Sequence, residues 1–134
     1  MQVVVNWHEQ HRPGETFGIR AIPAIAESFT SHICDVIEVL GGVDPATGLI
    51  APDTEAQTEQ VLKNIQAILE AAGSSLQHVL RCGVFLLDMN EFAKMNAVYA
   101  RMFGDHRPAR TTVQVAGLPG EGLRVEIDAV AYKP

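Results

Sequence analysis

Residues 79–87 form the segment that most constrains how this chain of 134 residues can fold. The segment is an almost unbroken apolar run with the length of a β-strand, and Arg81 is its only charged residue. A run that is apolar at nearly every position is typical of a strand in the interior of a sheet, where both faces are covered. The sequence therefore predicts a central strand here.

A helix is predicted before this strand. A turn at residues 44–48 precedes it, with Pro45 fixing φ and Gly48 free to adopt a positive φ. Thr54 and Gln57 have the spacing of a capping box, and Gly73 is placed to end the helix. Its apolar face recurs at helical spacing and comprises Val61, Ile65, Ile68 and Ala72.

A second helix is predicted directly after the strand. Asp88 and Glu91 are placed to open it, and Gly104 is placed to end it. Its buried stripe comprises Phe92, Met95, Tyr99 and Met102.

The last thirty residues alternate between apolar and polar side chains, as β-strands do. Val113 and Val115 point to one face of the first of these strands, and Thr112 and Gln114 to the other. The apolar face of the final strand comprises Val125, Ile127, Ala129 and Ala131. A loop of hairpin type is predicted at residues 117–122. The element order of strand, helix, strand, helix, strand and strand predicts an α+β fold, a single domain over residues 1–134 with both helices on one face of the sheet.

The charge balance narrows the class of partner. Ten Lys and Arg residues against sixteen Asp and Glu give a net charge of −6. Nucleic acids and anionic membranes attract basic surfaces, so we expect neither as the main partner. No apolar run approaches the roughly 18 residues of a membrane span, and the N-terminus lacks the pattern of a signal peptide. We therefore expect a cytoplasmic protein.

The residue patterns predict neither a metal site nor a phosphate-binding loop. Cys34 and Cys82 are too few for a disulfide scaffold or a four-ligand zinc site. His8 and His11 lie three residues apart, but further ligands and a helical pattern around them are missing. The glycines at residues 117–122 lack the lysine of a P-loop and precede a strand, which argues against a phosphate site.

Several short motifs between residues 41 and 133 occur in the order found in one protein family. The first are DPATG at residues 44–48, AQT at 56–58, NI at 64–65 and LEAAG at 69–73. They are followed by VFLLD at 84–88, NAVY at 96–99, PAR at 108–110, LP at 118–119 and VEIDA at 125–129. In combination these motifs resemble the YjgF/RidA family of reactive-intermediate (enamine/imine) deaminases.

The resemblance implies a chorismate-mutase-like fold, assembled as a homotrimer with a cleft between neighbouring subunits. It also implies hydrolysis of 2-imino or 2-enamino acids to 2-keto acids and ammonia, without a metal or cofactor. Arg110 matches the family arginine that binds the substrate carboxylate, and Glu126 matches the glutamate of the last strand, which makes both candidate catalytic residues. Asn96 matches the family's helix asparagine, and Thr112 stands where a cysteine is frequent, so both are candidates for substrate contact.

Residues 1–40 depart from the family pattern. The nearest counterpart of a Gly-Pro-Tyr-Ser motif is residues 27–30, where Phe29, a further candidate for substrate contact, replaces the tyrosine. The counterpart of a strand ending in Ser-Gly-Gln requires a two-residue gap and leaves Leu40 in place of the serine. A divergent member with an altered cleft is the favoured interpretation, and a changed reading frame in this segment is the alternative.

The candidate residues suit the chemistry that the resemblance implies. A guanidinium matches a carboxylate with two parallel hydrogen bonds, and Glu126 could position the attacking water or take its proton. Taken alone, Arg110 and Glu126 are more typical of charged residues on a strand surface. Two alternatives stay open: a trimer that binds small carboxylates without turnover, which the changes at Phe29 and Leu40 favour, and RNA cleavage, which the net charge disfavours.

Overall fold

The computed structural model describes residues 35–39 and 41–134. Four strands and two α-helices follow one another in the predicted order, and neither helix of this part of the chain has the length and apolar character of a membrane span. Short 3-10 turns at Leu76–His78 and Met89–Glu91 precede the second strand and the second helix. The elements are β1 (Asp35–Val39), α1 (Thr54–Ala71), β2 (Val79–Leu86), α2 (Phe92–Phe103), β3 (Ala109–Gln114) and β4 (Val125–Ala131).

The four strands form one mixed sheet in the order β1–β4–β2–β3. β2 has the interior position that its apolar sequence predicts, and it pairs parallel with β3 and antiparallel with β4. The predicted hairpin between β3 and β4 is wrong, because β2 lies between them. Both ends of the connection bond to the end of β2: Val115 N donates to Leu86 O, and Leu87 N donates to Arg124 O. The connection therefore crosses over the end of the central strand.

Both helices pack on the same face of the sheet, as predicted. The alternation in β4 is confirmed, since Val125, Ile127 and Ala129 are fully buried on this face and Ala131 nearly so. Each fully buried large apolar side chain contributes about 1.5–3 kcal/mol, so this layer is a main source of stability. The largest fully buried side chains include Phe103, Leu62, Ile65, Leu69, Leu86, Met95 and Ile127.

The ends of the helices agree with the predictions except at the start of α1. Asp53, rather than Thr54, is the N-cap, and its Oδ1 accepts a hydrogen bond from Ala56 N at 2.8 Å. Thr54 is the first helical residue and is fully buried. Gly73 and Gly104 follow the two helices with φ of +78° and +61°, a conformation that glycine adopts with little strain.

A polar network connects the start of α1 with the turn before α2 and with β4. Glu91 accepts hydrogen bonds from Arg124 Nε, at 3.0 Å, and from the Thr54 hydroxyl. These two bonds lower the pKa of Glu91 to about 2. The fully buried Gln57 donates to Gly122 O and accepts from Arg124 N, at 2.9 and 2.8 Å. The network holds the beginning of β4 against the first turn of α1.

Candidate active site

Arg110 lies near the start of the edge strand β3, on the side of the sheet that faces the helices. The strand begins at Ala109, directly after Pro108, as predicted. In the parallel register Arg110 is paired with Cys82 of β2, whose side chain is fully buried beneath the helices. Residues paired across neighbouring strands point to the same face of a sheet. The side chain of Arg110 therefore projects towards α2.

Three side chains of α2 surround the guanidinium of Arg110. Its Nη2 donates a hydrogen bond to Asn96 Oδ1 at 2.8 Å. Its Cζ lies 4.6 Å from the centroid of the Tyr99 ring and 5.6 Å from that of the Phe92 ring, within the range of cation–π attraction. Positions spaced by three and four residues are neighbours on a helix surface, so one face of α2 supplies all three contacts.

The guanidinium carries a charge that its described neighbours do not balance. Arg110 is half-buried and forms no ion pair with a carboxylate among the described side chains. Burial raises the pKa of the Cys82 thiol above its ordinary 9.0, and burial likewise raises the pKa of the Tyr99 hydroxyl above its ordinary 10.0. Both groups are therefore neutral at pH 7. A partly desolvated cation in neutral surroundings favours the binding of an anion.

Glu126 lies on the opposite face of the sheet. Its neighbours Val125 and Ile127 are buried under the helices, so the intervening side chain points away from them. Its register partner is Phe85 of β2, and β2 also separates β4 from β3. Within one chain, the sheet thus keeps Glu126 and Arg110 apart.

Comparison with known proteins identifies relatives of this fold. A family profile described as Endoribonuclease L-PSP matches residues 20–133. The chain is 55% identical over 92 residues to a RutC family protein of Pyrococcus horikoshii. The aligned region covers 68% of this chain and 72% of that protein. It is 44% identical over 94 residues to the 2-iminobutanoate/2-iminopropanoate deaminase of Salmonella typhimurium, with coverage of 68% and 73%. It also resembles the crystal structure of the YjgF gene product of E. coli, with a TM-score of 0.72 and 37% identity over 77% of this chain and 83% of that one.

The chain belongs to the YjgF/RidA family. This result confirms both the resemblance drawn from the motifs and the fold that it implies, two helices on one face of a mixed sheet. Some of its relatives are named 2-iminobutanoate/2-iminopropanoate deaminase, and others are named putative endoribonuclease.

Three of the residues that the YjgF/RidA motifs indicate lie on the helix-facing side of the sheet. Arg110 and Asn96 are in direct contact. Thr112, at the position where the family often has cysteine, lies two residues beyond Arg110 on the same face and is half-buried beside Val84. The remaining candidate, Phe29, lies outside the described residues, as does Leu40.

The sequence pattern did not indicate the contacts of Tyr99 and Phe92 with Arg110. Both residues were predicted as members of the buried stripe of α2, and Tyr99 is indeed buried. An apolar stripe at helical spacing indicates burial only. The available signal was the spacing: Phe92 lies four residues before Asn96 and Tyr99 three residues after it, which places all three on one helix face.

Proposed function

We propose that this protein hydrolyses 2-imino and 2-enamino acids to 2-keto acids and ammonia. The observation that carries the proposal is the half-buried guanidinium of Arg110, which bonds to a neutral amide and pairs with no carboxylate among the described side chains. A substrate carboxylate would supply the missing negative charge through charge-assisted hydrogen bonds. The deaminase named among the relatives acts on substrates of this class, which supports the same assignment.

In this proposal Arg110 binds the carboxylate and Glu126 handles the protons of the attacking water. Water adds to C2 of the imine, and the new C–O bond forms while the π electrons of the C=N bond move to the nitrogen, which takes up a proton. Glu126 accepts the proton that the water gives up and passes it to this nitrogen, which yields the neutral carbinolamine. A proton then moves from the hydroxyl of the carbinolamine to its amino group, the C–N bond breaks with its electron pair going to nitrogen, and ammonia leaves as the keto group forms. An imine is already electrophilic, so orientation and electrostatics are the main contributions of the protein.

We further propose that each site is shared by two subunits of a homotrimer. Arg110 and Glu126 lie on opposite faces of the sheet, so a site that contains both requires residues from two chains. The face that carries Glu126 bears no helix among the described residues, and it presents the apolar side chains of Phe85, Val113 and Val130. A neighbouring subunit would cover these side chains.

A coupled assay tests the activity. Threonine dehydratase releases 2-iminobutanoate, and the formation of 2-ketobutanoate is followed with and without this protein. We expect the wild type to accelerate keto-acid formation and Arg110→Ala to lose about 100-fold in kcat/KM, because two charge-assisted hydrogen bonds contribute about 3 kcal/mol. Arg101→Ala is the matched control, since Arg101 is exposed and pairs with Glu59 on the surface. Equal activity of Arg110→Ala and the wild type would refute the role of Arg110.

Subunit mixing tests the shared site. Arg110→Ala and Glu126→Gln proteins are each expected to retain only about 1% of the wild-type activity. Glu121→Gln, a change in an exposed loop, is the control for the second. If a site takes Arg110 from one subunit and Glu126 from the next, random co-assembly in equal amounts leaves both residues intact in about one quarter of the sites. Co-expressed, differently tagged subunits should therefore recover about one quarter of the wild-type activity. No recovery in verified mixed oligomers would contradict the shared site.

A second candidate function is the binding of small carboxylates without turnover. The Arg110 guanidinium, which pairs with no carboxylate among the described side chains, suits this function too, and the changes at Phe29 and Leu40 favour it. Calorimetric titration with 2-ketobutanoate separates the two candidates, because binding without acceleration in the coupled assay supports the non-catalytic one. A folded wild type that neither binds nor accelerates contradicts both.

A further inference from the structure

We infer that Asn96, Tyr99 and Phe92 are positioning residues that fix the plane of the Arg110 guanidinium before a ligand binds. The inference rests on the proposed function for the identity of that ligand, a 2-imino or 2-keto acid. The three residues act through Arg110, so that its remaining N–H groups meet the carboxylate in one orientation.

The contacts restrain the guanidinium in two different ways. The rings of Tyr99 and Phe92 attract the positive charge centred on Cζ, since the face of an aromatic ring carries partial negative charge. Asn96 restrains an edge, and it does so with its amide oxygen, because a guanidinium has hydrogen-bond donors only. A planar group held by two ring contacts and one hydrogen bond has lost most of its rotational freedom, so less conformational entropy is lost when the carboxylate binds.

The supporting residues are themselves held in place. Tyr99 is only 6% exposed and packs against Phe103, with ring centroids 4.5 Å apart. All three supports belong to α2, which is anchored in the core by Met95 and Phe103. The supports are also uncharged, so they orient Arg110 without neutralising it. A carboxylate at position 96 would hold the arginine equally well but would cancel the charge that the ligand needs.

The difference between an uncharged amide and a carboxylate at position 96 gives the first test, in which Asn96→Ala and Asn96→Asp are compared with the wild type. Asn96→Ala is expected to raise the KM in the coupled assay and the Kd for 2-ketobutanoate by about tenfold, the value of one charge-assisted hydrogen bond. Asn96→Asp is expected to raise both further, because its carboxylate pairs with Arg110 and competes with the ligand. Asn90→Ala, at an exposed asparagine in the turn before α2, is the matched control. Unchanged constants in both Asn96 variants would overturn the inference.

A double-mutant cycle separates positioning from direct contact with the substrate. If Asn96 acts through Arg110, the double variant Arg110→Ala/Asn96→Ala should have the same kcat/KM as Arg110→Ala within about twofold. If Asn96 binds the substrate itself, the kcat/KM of the double variant should be lower than that of Arg110→Ala. The factor should be the one by which Asn96→Ala lowers the kcat/KM of the wild type. The second result would contradict a positioning role.

The aromatic support is tested with Tyr99→Phe and Tyr99→Leu. The phenylalanine keeps the ring and should keep the Kd within about threefold, whereas the leucine removes the ring and should raise the Kd about fivefold, the value of one partly exposed cation–π contact. Thermal unfolding establishes whether both variants are folded. If Tyr99→Leu is unfolded, the double-mutant cycle with Asn96 decides whether these side chains position Arg110. A wild type that binds 2-ketobutanoate without turnover refutes only the proposed deamination, and the Kd comparisons then decide the inference.

Discussion

Replacement of Glu91 by glutamine is expected to destabilise the protein at neutral pH and to have less effect in acid. The carboxylate of Glu91 accepts hydrogen bonds from the Arg124 guanidinium and the Thr54 hydroxyl. The bond from Arg124 is the largest reason why the pKa of Glu91 is lowered from 4.5 to about 2, and the bond from Thr54 is the next. Glutamine has nearly the same shape but carries no charge, so Glu91→Gln removes the electrostatic part of the interaction.

The size of the effect follows from this pKa. A carboxyl group whose pKa is lower in the folded state stabilises that state at every pH above its unfolded-state pKa, here by at most about 3 kcal/mol. Solvent reduces this value, because the Arg124 side chain is 42% exposed and that of Glu91 is 15% exposed. We therefore expect a loss of about 1–2 kcal/mol in the free energy of unfolding at pH 7. The stabilisation should decrease as the pH falls from 4.5 towards 2.

Urea-induced unfolding at pH 7 and pH 3 tests this prediction. Wild type and Glu91→Gln are compared at one protein concentration, so that any subunit association contributes equally. Less than half of the difference in the free energy of unfolding should remain at about pH 3. Glu121→Gln, in an exposed loop, should differ from the wild type at neither pH. An equal difference between wild type and Glu91→Gln at both pH values would refute the electrostatic explanation.

Two further predictions concern the backbone and the buried thiol. Gly104→Ala should lower the free energy of unfolding by about 1–3 kcal/mol, because φ of +61° and ψ of −123° are strained for any residue with a Cβ. A Cβ added at Gly104 would meet no atom within 4 Å, so the expected destabilisation comes from backbone strain and not from a steric clash. An unchanged Tm of Gly104→Ala would therefore contradict the strain. Cys82 is fully buried and its pKa is raised, so it should resist iodoacetamide at about pH 8 until urea unfolds the protein. Peptide mapping separates it from Cys34, and rapid labelling of Cys82 in the native protein would contradict the prediction.

Local patterns predicted the elements of this fold but not their neighbours in the sheet. The alternation in β4 and the helical spacing in α1 are local. The alternation was confirmed, and so were the helix and the burial of Val61 and Ile65, but Leu62 and Leu69 complete its buried face instead of Ile68 and Ala72. The composition of residues 117–122 is compatible with a hairpin and with a crossover alike, and the pairing of both flanks with the end of β2 decides between them. The N-cap of α1 is a similar case. Asp53 and Thr54 are both good capping residues, and the bond from Thr54 to Glu91, 37 residues away, decides which of them caps.

The candidate site was also predictable only in part, because its geometry depends on long-range pairing between strands. The family motif indicated Arg110 and Asn96, but it did not indicate on which face of β3 the arginine lies. Alternation separates Val113 from Thr112, and hydrophobicity alone favours the valine as the residue that faces the core. The opposite arrangement is found: Arg110 and Thr112 face the helices, and Val113 is 39% exposed. The parallel register with β2, a long-range interaction, places Arg110 beside Cys82 and so determines the face.

The orientation of β3 connects the candidate site with assembly. A strand that turns Arg110 towards the helices must turn Val113 away from them, since neighbouring residues alternate. The same register thus places the single cation Arg110 on one face and contributes to an apolar surface on the other, where Phe85 lies between Val113 and Glu126. A partner subunit that covers this apolar surface comes into contact with Glu126 on the same face. We therefore expect the contact that buries Val113 to be the one that brings Glu126 to the Arg110 of a neighbouring chain.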